Sequence, residues 1–358
     1  MKGIQLSATA LVVMMVASSC LNDEPIKLEY QGFQPVSRGD GWEISSPASE
    51  NMDPLLVEKA FQLLYLDDRY VMARGLLVVR NGRLVAEVYP HSLGDIDRIE
   101  NIQSSTKSFT SVLTGIALEK GFLDSLNQPL SQICPDAFTN HPEKTDITLR
   151  HALTMQTGIN FDNDEDALDF YHASGSSVEF VLSKTQEYAP GVIFRYNDGA
   201  PQLVSAAIQR RSGKQLSAFA EEHLFTPLQI VDWKWESAKD GITFGAFSLF
   251  LTPRDLAKWG LMLLNNGSWN GQQVVDSAWI AEATQPLVNA GSYGASYGYY
   301  FWVYPGYEGY AAVGHGGQRV FAVPSKSLLI VYTAWPYTSD KLFDEFAELA
   351  DLIVASCR

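Results

Sequence analysis

The sequence predicts an α+β protein, and three observations predict it. Strand-like segments lie at both ends of the chain, the middle is mainly helical, and an amphipathic helix follows the last strand. The first strand pair is Leu76–Ala86, where two apolar runs flank Asn81-Gly82, a dipeptide that suits the two left-handed positions of a tight hairpin turn. Later strands are expected at Tyr299–Tyr304, Tyr310–Val313, Val320–Val323 and Leu328–Tyr332, and the closing helix at about Lys341–Ala355. Residues 113–264 read as helix and loop. With 358 residues, 46% of them apolar, the chain can bury a large core and form one two-lobed unit, here placed at 42–358.

The first 19 residues read as an export signal and stand outside the fold. Lys2 supplies one positive charge, Ala8–Ala17 form a short apolar run, and Ala17-Ser18-Ser19-Cys20 resembles a bacterial lipobox. Cys20 would then be lipidated, anchoring the protein to a membrane at the periplasmic or outer cell surface. A plain secretory signal cleaved nearby is the alternative. The apolar run is too short for an ordinary transmembrane helix. Residues 20–41 read as a polar tether. Of the other two cysteines, Cys134 and Cys357, either a disulfide or two separately buried thiols fits the sequence.

Composition narrows the partners. A net charge of −15 disfavours nucleic acid, because phosphate contacts need clustered cations. No His-Glu-x-x-His spacing suggests a metal, and no Gly-x-Ser-x-Gly turn suggests an α/β-hydrolase. Asp162–Asp166 looks superficially like a calcium loop. It has Ala167 where the sharp turn needs glycine and Ala173 where the closing glutamate belongs, so a solvated loop near the cleft is expected. No cofactor is called for.

The chemistry is expected at Ser104-Ser105-Thr106-Lys107. The spacing predicts a helix running to Gly121 with Phe109, Val112, Leu113, Ile116 and Leu118 on its apolar face. Ser104 and Lys107 then share a face in the first turn. A serine hydroxyl needs a base to become nucleophilic, and a helix N-terminus favours a developing oxyanion. Two further motifs follow. Tyr196-Asn197-Asp198 sits in a polar turn before the apolar run Leu203–Ile208, and Val313-Gly314-His315-Gly316-Gly317-Gln318 precedes a strand.

These motifs resemble those of the serine β-lactamase and penicillin-binding protein superfamily, in its class C-like branch, with S-x-x-K, Y-x-N and an H-x-G variant of K-T-G. The segments Ile147–Gly158 and Leu251–Ala257 are similar to further stretches of that family, and the likeness runs from about residue 70 to 355. The resemblance implies an antiparallel sheet built from both chain ends and flanked by helices. It also implies a mainly helical lobe alongside, with the cleft between them. It implies no cofactor and a small-molecule or peptide substrate. Ser104 would be the nucleophile forming an acyl-enzyme, Lys107 its proton acceptor and Tyr196 the second proton relay. The backbone N–H groups of Ser104 and Gln318 would form the oxyanion hole. Gly316 and Gly317 would let the strand edge lie close to the substrate. His315 would orient Tyr196 or a polar group of the substrate.

Two departures steer the choice of substrate. Asp198 stands where the family has asparagine; it either pairs with Lys107, weakening that lysine as a base and giving more of the role to Tyr196, or simply caps a turn. His315 replaces the usual lysine, which argues against β-lactam hydrolysis as the main role. Tyr196-Asn197-Asp198 also resembles the Tyr-x-Ser form of the esterase and aminohexanoate-dimer hydrolase subgroup. The expected function is therefore an exported serine hydrolase of amide or ester bonds. The alternatives are a D,D-carboxypeptidase or endopeptidase of cell-wall peptides and a catalytically silent binding lipoprotein.

Overall fold

The computed structural model describes residues 26–335 and 345–358. The export signal, Cys20 and the start of the expected last helix lie outside the described residues. Helix α1, Pro54–Leu66, opens on a side-chain cap from Asp53 and carries proline in its first turn, where the missing N–H is no loss. Strands β1, Ala73–Arg80, and β2, Arg83–Val88, follow as the expected hairpin, with Asn81 and Gly82 both at positive φ. The short β3 is Glu100–Asn101, and α2 is Thr106–Glu119. Helix α3, Asn163–His172, begins inside the acidic stretch, with Asp162 as its cap. This corrects the expectation of a solvated loop: carboxylates at the first turn complement free N–H groups and the helix dipole.

Helix α4, Gly199–Ser212, starts directly after the Tyr196 turn. Strands β4, Trp233–Trp235, and β5, Leu249–Leu251, pair with β3 in a three-stranded sheet that the reading of the middle as helix and loop did not contain. Helix α5, Pro253–Leu264, is capped by Thr252. The small hairpin β6, Ser268–Trp269, with β7, Gln272–Gln273, leads to β8, Val288–Asn289, β9, Ser296–Tyr297, and β10, Trp302–Tyr304. The expected strand over 299–304 is thus shortened to Trp302–Tyr304, because Tyr300 takes a left-handed turn conformation. The chain ends with β11, Gly309–Gly314, β12, Gln318–Val323, β13, Leu328–Ala334, and helix α6, Glu345–Ser356.

The main sheet is antiparallel, eight strands in the order β2-β1-β13-β12-β11-β10-β9-β8, so the N-terminal hairpin docks on the last strand with Leu77 opposite Val331. Both faces are covered. Leu76 and Val78 point to the cluster under α1 and α6, while Leu77 and Val79 point to the larger core that holds α2 and α5. That two-sided burial explains a run of four apolar residues where a half-exposed strand would alternate. Each side chain buried in this way contributes about 1.5–3 kcal/mol.

Helix α2 differs from a one-sided amphipathic helix: every residue from Thr106 to Ala117 is buried. Among its hydroxyls, Ser108 donates to the Tyr300 carbonyl at 2.6 Å and Thr110 to that of Gly245 at 2.7 Å, while Phe109 stacks on Trp259. The helix that carries the lysine is therefore held on all sides. Residues 28–40 are docked rather than a free tether. Leu28 N–H bonds to the Pro90 carbonyl, Phe33 is buried, and Asp40 meets Arg254.

Candidate active site

Ser104 lies just before α2, in the 3-10 turn Gln103–Ser105. Gln103 has φ of +52°, unusual for a residue with a side chain, and its N–H is held by the Asn101 side chain at 2.9 Å. This strained residue, which no sequence pattern marked, sets the path of the backbone into the serine and lines the same cleft.

Lys107 is almost wholly buried and donates to Ser104 Oγ at 2.8 Å, to Asp198 Oδ1 at 2.6 Å and to the Ala246 carbonyl at 3.3 Å. An ammonium has three N–H donors, and here all three have acceptors. Burial pushes the lysine pKa down, yet the Asp198 carboxylate and then Tyr196 outweigh it and hold the pKa above the ordinary value. The alternative that Asp198 only caps a turn is set aside, since its carboxylate reaches Lys107. The helix-capping side chain here is Asn197, which accepts from Ala200 N–H at 2.8 Å.

Tyr196 presents its ring 4.7 Å from Lys107 Nζ and packs against Trp302. Its turn is tied to α3, because Asn163 accepts from the Asp198 N–H at 2.8 Å. The cleft around these groups measures about 2070 Å³ and is lined by Ser104, Tyr196, Asp198 and His315. Its outer walls come from α3, residues 192–195, residues 288–291 and Tyr293. Trp302 lines it. Tyr300 is core, and Trp335 faces the guanidinium of Arg74 at 4.8 Å.

Three expected residues fall outside the cleft lining. Gly316 and Gly317 both have positive φ and form the turn His315–Gly317 that joins β11 to β12; they are not among the cleft-lining residues. Gln318 opens β12 opposite Gly314, is fully buried, donates its side-chain amide to the Ala334 carbonyl, and likewise does not line the cleft. The backbone beside the serine turn is that of Gly314. A Cβ there would lie 2.3 Å from the Ile102 carbonyl oxygen, so only glycine fits. Gly314 and His315 line the cleft. Arg319, which the sequence did not single out, also lines it.

Cys134 and Cys357 are free thiols, and burial raises the Cys134 pKa to about 11. Among the described residues, no group of side chains is arranged to hold a metal ion, and no helix is long and apolar enough to cross a membrane.

The chain belongs to the β-lactamase family, whose model matches residues 70–351. It is 21% identical to 6-aminohexanoate-dimer hydrolase of Paenarthrobacter ureafaciens, over 73% of this chain and 72% of that one. An uncharacterized protein of Alkalihalophilus pseudofirmus is 22% identical, but the match spans 56% of this chain and only 61% of that protein's length. Among solved structures, a putative 6-aminohexanoate-dimer hydrolase from Bacillus anthracis superposes with a TM-score of 0.71 at 22% identity, covering 82% of this chain and 81% of that one. A family VIII carboxylesterase superposes with a TM-score of 0.68 at 16% identity, covering 88% of this chain and 99% of that one. The chain thus combines membership of the β-lactamase family with the expected α+β fold.

Proposed function

We propose that this protein is a serine hydrolase that cleaves amide or ester bonds of a small or peptide-like substrate through an acyl-enzyme on Ser104. The observation that carries the reading is the 2.8 Å contact between Ser104 Oγ and Lys107 Nζ beside a large open cleft. Ser104 Oγ attacks the substrate carbonyl carbon, and its proton passes to Tyr196, because Lys107 is held as an ammonium and works as a fixed positive charge. Tyr196 returns that proton to the leaving amine or alcohol. Water then attacks the acyl carbon and gives a proton to the same relay, which passes it to Ser104 Oγ as the acyl bond breaks, freeing the acid and the serine. The oxyanion is received by the N–H of Ser104 and an N–H of the Gly314–His315 segment. The names of the aminohexanoate-dimer hydrolase and the carboxylesterase support amide and ester bonds as the substrate class.

Mixing the protein with p-nitrophenyl acetate should give a burst of p-nitrophenol stoichiometric with enzyme, absent in Ser104→Ala. A native protein that folds but gives neither burst nor turnover with activated esters overturns the reading.

We further propose that the chain is exported and anchored by lipid on Cys20, with residues 1–19 removed. The support is the short apolar run ending in a lipobox-like Ala17-Ser18-Ser19-Cys20. Radiolabelled palmitate should enter the expressed full chain and fail to enter Cys20→Ala; equal labelling of the two rejects Cys20 as the anchor.

A further inference from the structure

Arg319 is the second residue of β12 and is 5% exposed, in a position between two cavities. One is the cleft of Ser104; the other is a small pocket of about 110 Å³ bordered by Tyr304, Phe321 and Phe346 under α6. Nη1 of Arg319 donates to the Gly314 carbonyl at 3.3 Å and to the Gln318 carbonyl at 3.0 Å. These two carbonyls belong to the last paired residues of β11 and β12, at the base of the His315–Gly317 turn. With both Gly316 and Gly317 at positive φ, the turn is made of the least restrained residues in the chain. A guanidinium bridging its two ends restrains what the glycines leave free.

The carbonyl of Gly314 and the N–H of His315 are parts of one peptide group. No peptide bond among the described residues is cis, and in a trans peptide the C=O and N–H point in opposite directions. A cation bonded to the carbonyl therefore fixes the direction of the N–H on the far side. It also draws electron density toward the oxygen and strengthens that N–H as a donor, as successive hydrogen bonds polarise one another. Burial of the guanidinium matters here, because water would screen the effect.

We infer that Arg319 is a positioning residue for catalysis: by holding the Gly314 carbonyl, it aims and polarises the His315 N–H as the second donor of the oxyanion hole. This inference rests on the serine hydrolase reading above. In this role Arg319 acts through the Gly314 peptide group. Its contribution appears as negative charge develops on the substrate oxygen, and so falls on the rate of acylation rather than on substrate affinity.

The test is stopped-flow acylation by p-nitrophenyl acetate, a neutral ester with no carboxylate for an arginine to bind. In Arg319→Ala the acylation rate constant is expected to fall about 10- to 100-fold, below the loss for deleting a donor outright. The apparent dissociation constant of the ester should stay within about twofold. Because the vacated space opens on the cleft, methylguanidinium should restore a substantial part of the rate in Arg319→Ala and none in Ser104→Ala. Should the alanine variant not fold, Arg319→Met fills the apolar surroundings and carries the same comparison of rate against affinity. A rate constant within threefold of native, a loss seen only in affinity, or a rate loss that methylguanidinium does not repair in folded Arg319→Ala overturns the inference. If the native protein itself gives no burst, the serine hydrolase reading has failed instead.

Discussion

Lys107→Met is expected to lower kcat/KM on p-nitrophenyl acetate by about 10²–10⁴-fold and to destabilise the fold by about 3–5 kcal/mol. The two losses have different origins. The catalytic loss follows from removing the cation beside Ser104 Oγ, on which proton transfer through Tyr196 depends. The stability loss follows from leaving the carboxylate of Asp198, a residue only 8% exposed, without its partner. The double variant Lys107→Met with Asp198→Asn removes the stranded charge, so it should regain most of the stability and none of the activity. Urea unfolding and steady-state kinetics on the three proteins separate the effects. A single variant with activity within tenfold of native rules out a central role for the lysine.

The same pair predicts a pH effect. Asp198→Asn takes away the carboxylate that favours the ammonium, so the lysine pKa falls. Because Lys107 works as an ammonium, the alkaline limb of the kcat/KM profile moves to lower pH; an unmoved limb uncouples the pair from the chemistry. For stability, a lysine whose folded pKa is raised contributes fully below its unfolded value, about 10.4, and the contribution disappears as pH rises through the folded value. The native protein should therefore lose stability in strong alkali more steeply than the double variant.

Arg254→Met carries the other large effect, on stability alone, expected at about 3–5 kcal/mol. Arg254 Nε donates to Glu87 at 3.0 Å, Nη2 reaches the other oxygen of the same carboxylate, and Nη1 donates to Asp40 at 2.6 Å. Nη2 also donates to the Val36 carbonyl at 2.7 Å. The guanidinium thus ties α5 to β2 and to the docked segment before residue 41, with the Arg254 and Glu87 side chains only 4% and 3% exposed. In the native protein burial would raise the Asp40 pKa, but the Arg254 guanidinium outweighs it and holds that carboxyl below the ordinary range, a contribution the variant loses. The stability difference from native should then be small in acid and grow as pH rises toward the ordinary aspartate value of about 3.9. Equilibrium urea unfolding at several pH values measures it. A difference below about 1 kcal/mol at neutral pH contradicts the assignment of Arg254 as a tie between these segments.

Local patterns in the chain determined a good deal here. Asn81-Gly82 marks its hairpin because few other residues accept two left-handed positions in succession. The three-residue spacing brings Ser104 and Lys107 together because one helical turn does so wherever it forms. The apolar runs of β1 and β13 report burial on both faces whatever strand lies beside them. Leu251–Ala257 was legible as a conserved-looking segment of the family, but not as the carrier of a buried arginine.

Other features were decided only by tertiary structure, because they depend on residues far apart in the chain or on backbone angles that composition does not specify. Asp198 lies 91 residues from Lys107, and only the packing of α2 against α4 turns its carboxylate toward the lysine and away from a turn. The three-stranded sheet of β3, β5 and β4 consists of pieces of two or three residues, too short to show a period. The acidic run at Asp162 reads as solvated by composition, yet its carboxylates open a helix. Gly316 and Gly317 were expected at a strand edge close to the substrate. Two positive φ angles chose the turn, moved Gln318 into the core, and left Gly314 and His315 beside the serine.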